Sequence, residues 1–346
     1  MIGVPPLDDA AMRRAEARQA VLTKPAGSLG RLEDLSIRIA GMTGHLDPPL
    51  ERAVVFVLAA DHGVAAEGVS AYPSDVTAQM VANFLRGGAA INVLAAAAGA
   101  RVVVADIGVD AELEAHPGLR ALKVRRGTAS ITRGPAMSVE DARRAIDVGR
   151  ELVRAEAPDI AITGDMGIGN TTASAALICA LTGLDVLEVV GRGTGVDDAG
   201  LERKQRAVND ALRVNGDALR RGPLETLAAI GGLEIAGLVG VILETASSHK
   251  PVIIDGFISG AAALVAAALA PRVTGYLIAS HRSLELGHRA VLERLGLQPL
   301  LDLELRLGEG TGGALALPLV RASVRLLNDM ATFEDAGVSG RVEPTP

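Results

Sequence analysis

Tryptophan is absent from the 346-residue chain, and aromatic residues of any kind are few: two Tyr and four Phe. A folded core must therefore be assembled from Ala, Val, Leu and Ile, which lets elements pack closely. Cysteine occurs once, as Cys179. That rules out an internal disulfide and a cysteine zinc cage, and it fits a reducing cytoplasm. The surrounding Ala/Leu segment makes Cys179 read as a small buried hydrophobe rather than a reactive thiol. A basic tract is also lacking, and the formal net charge is −7, so nucleic acid is not an expected partner. No apolar run is long and unbroken. The longest, Val252–Ala270, is interrupted by Asp255, Gly256, Ser259 and Gly260 and reads as a strand, a turn and a buried helix, not a membrane span. Met1–Arg18 mixes Pro, Asp and Arg and lacks the apolar centre of a signal peptide.

What is present is an ordinary globular balance, with 49% apolar and 22% charged residues, and a high glycine count of 40. The length suits one large domain with an appendage, or two domains. Short apolar strand-like runs alternate with Ala-rich helical patterns. Strands are expected at Ala53–Ala60, Arg101–Ala105, Ile160–Thr163, Val252–Ile254 and Tyr276–Ala279. Helices are expected at Ser74–Ala97, Val139–Ala155, Thr171–Leu181, Gly260–Ala268 and Leu284–Leu295. This alternation predicts an α/β fold, a parallel sheet with helices on both faces. The ends differ. Asp8–Ala20, Gly313–Leu327 and the short Met330–Ala336 read as helices that pair into a small helical subdomain beside the sheet.

Several expected strands run into a polar group and a turn: Asp61-His62-Gly63, Asp106-Ile-Gly108, Gly164-Asp165-Met-Gly167, Asp255-Gly256 and Ser280-His281. Ligands of an open parallel sheet bind beyond the carboxyl ends of its strands. Any one of these Asp residues is as well explained as a helix cap or turn former. Five together favour a shared cleft. Three glycine-rich segments add to it: Gly164–Thr172, Gly191–Gly195 and Gly308–Gly313. The first follows a strand and opens a helix, so its backbone N–H groups suit a phosphate. It matches neither a P-loop nor a Gly-x-Gly-x-x-Gly loop. The second is followed by Asp197, Asp198 and Lys204. In the third, Glu309 stands between glycines, where the backbone can bend closely around a ligand. The competing reading, an acidic residue favoured by a helix N-terminus, does not require the four glycines around it.

Taken together, these segments resemble the nicotinate-nucleotide–dimethylbenzimidazole phosphoribosyltransferase family. The resemblance is carried by Lys24–Glu33, Ala60–Gly63, Gly68–Pro73, Val76-Thr77, Gly87–Asn92, Gly164–Thr172, Gly191–Asp198, Gly231–Ala236, Asp255–Ile258, Gly308–Gly312 and Met330–Phe333, in the family's order. It implies a Rossmann-like parallel sheet in residues 31–304 and a small helical domain built from residues 1–30 and 305–346. It also implies a homodimer with the active site at the strand ends. Glu309 falls on the family's catalytic base, and Asp165 falls where some members have Glu. Tyr72 and Met80 stand where some relatives have smaller or polar residues, which bears on the choice of base rather than on the reaction.

The reaction so implied is attack by a benzimidazole nitrogen on C1′ of nicotinate mononucleotide, with nicotinate leaving. The leaving group is already a cationic pyridinium, so no general acid is required. One carboxylate within reach of the azole N–H suffices as base, and Glu309 fits that role. Asp165 is the candidate to face positive charge developing on the ribose. Gly164, Gly167, Gly169 and Asn170, with Arg192, Gly193 and Lys204, would hold the mononucleotide and its phosphate. Tyr72, Met80 and Leu307 would wall the base. No metal or other cofactor is expected, because ligand spacings are missing and a cationic leaving group does not need a Lewis acid. His62 reads equally as a cleft hydrogen-bonder or a packed structural residue. A nucleosidase, or a non-catalytic nucleotide-binding regulator, are the alternatives.

Overall fold

The computed structural model describes residues 3–339. Six parallel strands form one sheet: β1 Ala53–Ala60, β2 Ala100–Gly108, β3 Leu119–Ala121, β4 Ile160–Met166, β5 Val252–Ile254 and β6 Leu277–Ala279. Before β2 come helices α1 Asp9–Val21, α2 Arg31–Thr43, α3 Asp75–Leu85 and α4 Ala90–Ala98. Next are α5 Val139–Glu156, α6 Asn170–Thr182, the single turn α7 Val186–Val189, α8 Asp198–Val214, the single turn α9 Gly216–Leu219 and α10 Pro223–Ile230. Helices α11 Leu233–Ser247, α12 Phe257–Leu269, α13 His288–Leu295 and α14 Thr311–Asp329 complete the set among the described residues.

The strand order is β3-β2-β1-β4-β5-β6. Connections run outward in opposite directions from the β1–β4 pair, so a crevice opens beyond the carboxyl ends of these two strands. All eight residues of β1 are buried, as a central parallel strand covered on both sides requires. Alternate side chains meet different helices. Leu58 and Ile107 press on α11 at Gly237, while Val55 and Ile162 meet the start of α14 at Gly310 and Gly313. Helices α5 and α11 cross so closely that a Cβ on Gly149 would lie 1.9 Å from the Gly237 carbonyl oxygen. The scarcity of aromatics thus has its counterpart in backbone-to-backbone packing.

The expected strands are all found, some longer than expected, and β3 is additional. Three helical expectations change. Ser74–Ala97 is two helices, because the chain turns at Gly87 with φ +79°. Leu284–Leu295 becomes helical only at His288, since Leu284 N–H donates to the Leu305 carbonyl and the residues from there to Gly287 form bends and a turn. Met330–Ala336 is not a helix: Thr332 bridges Leu22 and turns follow. Helices α2, α7, α8, α9, α10 and α11 were not expected. Helix α11 is buried on every side from Leu233 to Ala246, so it carries no amphipathic stripe to read. At the chain ends, Ala11, Ala15, Ala40 and Leu327 form a satellite cluster, and Arg18 donates to the carbonyls of Leu327 and Met330.

Candidate active site

Asp165 ends β4, beside the β1–β4 crevice, and is 5% exposed. Asn170, the first residue of α6, donates from Nδ2 to its Oδ2 at 3.0 Å. Burial, and then the nearby carboxylates of Asp255, Glu234 and Glu309, hold Asp165 well above the usual carboxylate range. In the free protein the protonated form is favoured relative to an exposed carboxylate. A cationic ligand would favour the charged form.

Glu309 arrives at the same strand end from the loop before α14. Gly308, Glu309 and Gly310 have φ of +85°, +63° and +93°, three successive left-handed residues of which only Glu309 carries a side chain. Its carboxylate is buried and accepts the Ile91 N–H at the start of α4, at 3.2 Å. Burial pushes its carboxyl up, against the lowering effect of that hydrogen bond. Glu309 backbone rests on β4: a Cβ on Gly164 would stand 2.5 Å from the Glu309 carbonyl oxygen. Gly164 therefore admits the Glu309 turn to the strand end. Asp255, following β5, accepts the N–H groups of Gly310, Gly312 and Gly313 at the start of α14.

The β4–α6 turn packs on His62. A Cβ on Gly167 would lie 2.3 Å from the Ala60 carbonyl oxygen, and one on Gly169 would lie 3.1 Å from the His62 Cβ. Beneath it, His62 Nε2 and Glu234 Oε1 are 2.7 Å apart, both fully buried. His62 is thus tied into the floor of the crevice by a partner on the unexpected helix α11. Asp61 accepts the Asp110 N–H, and Asp106 pairs with Lys123 at 3.1 Å. Asp106 is a turn former rather than a member of the carboxylate group.

The Gly191–Gly195 loop is tethered on several sides. Lys204 lies under it, 1% exposed, and donates to the Gly191 carbonyl at 3.1 Å. Burial draws its amine down to about 8, opposed by the Glu285 carboxylate. Gly193, φ +53°, leaves room above the Lys204 amine, where a Cβ would stand 2.7 Å from Nζ. Arg192 is turned to the Val196 carbonyl and the Asp198 carboxylate. Arg306, not singled out from the sequence, donates to the Gly193 carbonyl at 3.0 Å and has no carboxylate within ion-pair distance among the described residues. The Ala71 N–H donates to Thr194 Oγ1 at 3.1 Å and brings the neighbouring Tyr72 to the loop. Tyr72 and Leu307 are 55% and 58% exposed, and Met80 on α3 is half-buried. Among the described residues, no three His, Cys, Asp or Glu side chains converge to hold a metal ion.

The arrangement is a crevice with neighbouring buried carboxylates at the end of β4 and a glycine loop with cations nearby. Comparison with known proteins agrees with that chemistry. A family model described as phosphoribosyltransferase matches residues 4–338. A protein of Chloroflexus aggregans (strain MD-66 / DSM 9485) is 57% identical over 341 residues, 98% of this chain and 96% of the relative. One from Roseiflexus sp. (strain RS-1) is 57% identical over 342 residues, again 98% and 96%. Both are named nicotinate-nucleotide–dimethylbenzimidazole phosphoribosyltransferase. The crystal structure of CobT from Thermus thermophilus matches with a TM-score of 0.91 at 52% identity, covering 95% of this chain and 99% of that one. The chain belongs to the nicotinate-nucleotide–dimethylbenzimidazole phosphoribosyltransferase family.

Proposed function

We propose that this protein joins 5,6-dimethylbenzimidazole, or a related base, to the ribose of nicotinate mononucleotide, giving α-ribazole 5′-phosphate and nicotinate for cobalamin synthesis. The observation that carries the reading is the buried Glu309, held in a left-handed turn beside Asp165 at the end of β4. The azole nitrogen attacks C1′ as the bond from C1′ to the pyridinium nitrogen breaks and its electron pair returns to nicotinate. Glu309 takes the proton from the other azole nitrogen. Asp165, favoured in its charged form by the nearby pyridinium of the mononucleotide, faces the developing charge on the ribose. The test is purified protein with nicotinate mononucleotide and a panel of azoles, with products identified by mass. A new N-glycoside is expected; free ribose phosphate without one would make the protein a nucleosidase.

The phosphate is assigned to the Gly191–Gly195 loop and the α6 turn, with Lys204 and Arg306 supplying charge. Lys204→Ala and Arg306→Ala are each expected to weaken nicotinate mononucleotide by ~10-fold or more, and the base much less, since a charge-assisted contact is worth roughly 1.5–3 kcal/mol. Arg192→Ala has a smaller effect, because its guanidinium is already engaged within its own loop. Calorimetry with each ligand separates these outcomes. Unchanged mononucleotide affinity in all three variants places the phosphate elsewhere.

Tyr72, Met80 and Leu307 are the proposed wall for the base. Leu284, Leu286, Leu303 and Leu307 are all more than half exposed, on two segments joined by the Leu284–Leu305 hydrogen bond. An apolar group of this kind suits a subunit interface, and a cytoplasmic homodimer covering it is the proposed assembly. Light scattering should return twice the chain mass, 35.4 kDa; a monomer in active protein rejects the dimer and leaves the chemistry standing. We also read the chain ends, 1–30 and 305–346, as a small helical unit, supported by the contact of α1 with α14; α2, beyond residue 30, packs on both, and residues 340–346 lie outside the described residues.

A further inference from the structure

The mechanism above makes no use of Asp255, although it is the carboxylate most directly tied to the backbone around Glu309. Asp255 follows β5 and is 1% exposed. Its Oδ2 accepts the Gly310 N–H at 3.2 Å, and its Oδ1 accepts those of Gly312 and Gly313 at 2.8 and 3.2 Å. These are the amides immediately after the base. An L-residue in the left-handed region is strained and persists only where its surroundings fix it. Glu309 is such a residue, and the three bonds to Asp255 pin the chain directly behind it.

The same contacts have an electrostatic consequence. Helix α14 runs nineteen residues, and its first amides carry the partial positive charge of the helix end. Left open, that charge would stabilise the ionised Glu309 and make it a poorer base. Asp255 takes up those amides and, when ionised, adds a negative charge at the same place.

We propose that Asp255 is the positioning residue of the Glu309 base, fixing its left-handed turn through the Gly310, Gly312 and Gly313 amides and cancelling the field of the α14 N-terminus. The inference rests on Glu309 being the general base. Other groups facing Glu309 and its turn are Asp165 from β4, Glu234 from α11 and His281 after β6, whose Nδ1 lies 3.8 Å from Asp255 Oδ1. Burial draws His281 down to about 4, so it is uncharged at neutral pH. Burial pushes Asp255 up to about 7, while the amide bonds act to lower it. The ionised carboxylate accepts these three N–H groups more strongly than the protonated acid does, so the clamp weakens as pH falls through that value.

Asp255→Asn keeps the shape but loses the charge and turns an amide donor towards backbone donors. It should lower kcat by ~10-fold or more while the Kd for nicotinate mononucleotide stays within about threefold. The acid limb of kcat should move to lower pH by about half a unit or more, the size of a helix-end charge effect. A purely structural role would lower kcat without moving that limb, and an unmoved limb overturns the proposal. Should this variant not fold, the wild-type protein labelled with 15N-glycine gives the same answer. The Gly310, Gly312 and Gly313 amide shifts should titrate together, with one midpoint near the Asp255 value of about 7; independent or flat shifts overturn it. The wild-type product assay run alongside reports separately on the reaction, and the Glu309→Gln variant on the base.

Discussion

Glu309→Gln is expected to lower turnover by ~100-fold or more while substrate affinity stays largely intact. The substitution keeps the shape and the acceptor for the Ile91 N–H, so the turn is retained. What it removes is the ability to take a proton. The incoming azole then has to become cationic as it attacks. Burial raises the Glu309 pKa, so the acid limb of the wild-type profile should lie above the ordinary glutamate range. Below that pKa the carboxyl is protonated and cannot accept; turnover falls as pH drops through it. In the Gln variant the part of the profile due to Glu309 should vanish. Single-turnover kinetics over a pH series would check both points, and near wild-type chemistry in the variant removes Glu309 from the role.

The second large effect should come from Gly164→Ala, a change of one methyl group. Its Cβ would stand 2.5 Å from the Glu309 carbonyl oxygen and 2.9 Å from the carbonyl carbon. Both are backbone atoms, so no flexible side chain can yield. The Glu309 turn must shift, and a displacement of about 1 Å in a catalytic group can cost ~100-fold in rate. Overpacking of this kind also destabilises by about 1–3 kcal/mol. Gly134→Ala is the control, since a methyl group there would have nothing within 4 Å and its φ is ordinary. Denaturant unfolding and steady-state kinetics on the pair decide it. Wild-type turnover in Gly164→Ala would mean that the Glu309 turn tolerates movement and that its fixed geometry is not what catalysis uses.

Much of this was legible in the chain. Strand ends announced themselves because an apolar run met Asp and Gly within a residue or two, and Glu309 stood out because four glycines surround it. Asp106 shows where such reading stops: the same strand-end pattern produces a turn former paired with Lys123, since local sequence does not say which way a side chain faces. Glu234 lay inside a recognisable segment but on a helix buried all round, where periodicity is silent. Arg306 and Arg192 are both arginines beside glycine-rich loops. Only the packed loop reveals that one is engaged by Asp198 while the other reaches Gly193.

Composition and pattern by themselves determined the class of fold, the strands and the glycine turns at their ends, because these depend on local periodicity and on backbone freedom. They also determined that Glu309 would sit in an unusual backbone. The tertiary structure decided the strand order, and with it which strand ends adjoin. It decided that Asp165, Glu234, Asp255 and Glu309, far apart along the chain, share one buried field that raises the Asp165 pKa. It also decided that Asp255 serves the α14 amides. Charge coupling and burial depend on distance in space and on exclusion of water, and neither quantity exists until the sheet has closed over its helices.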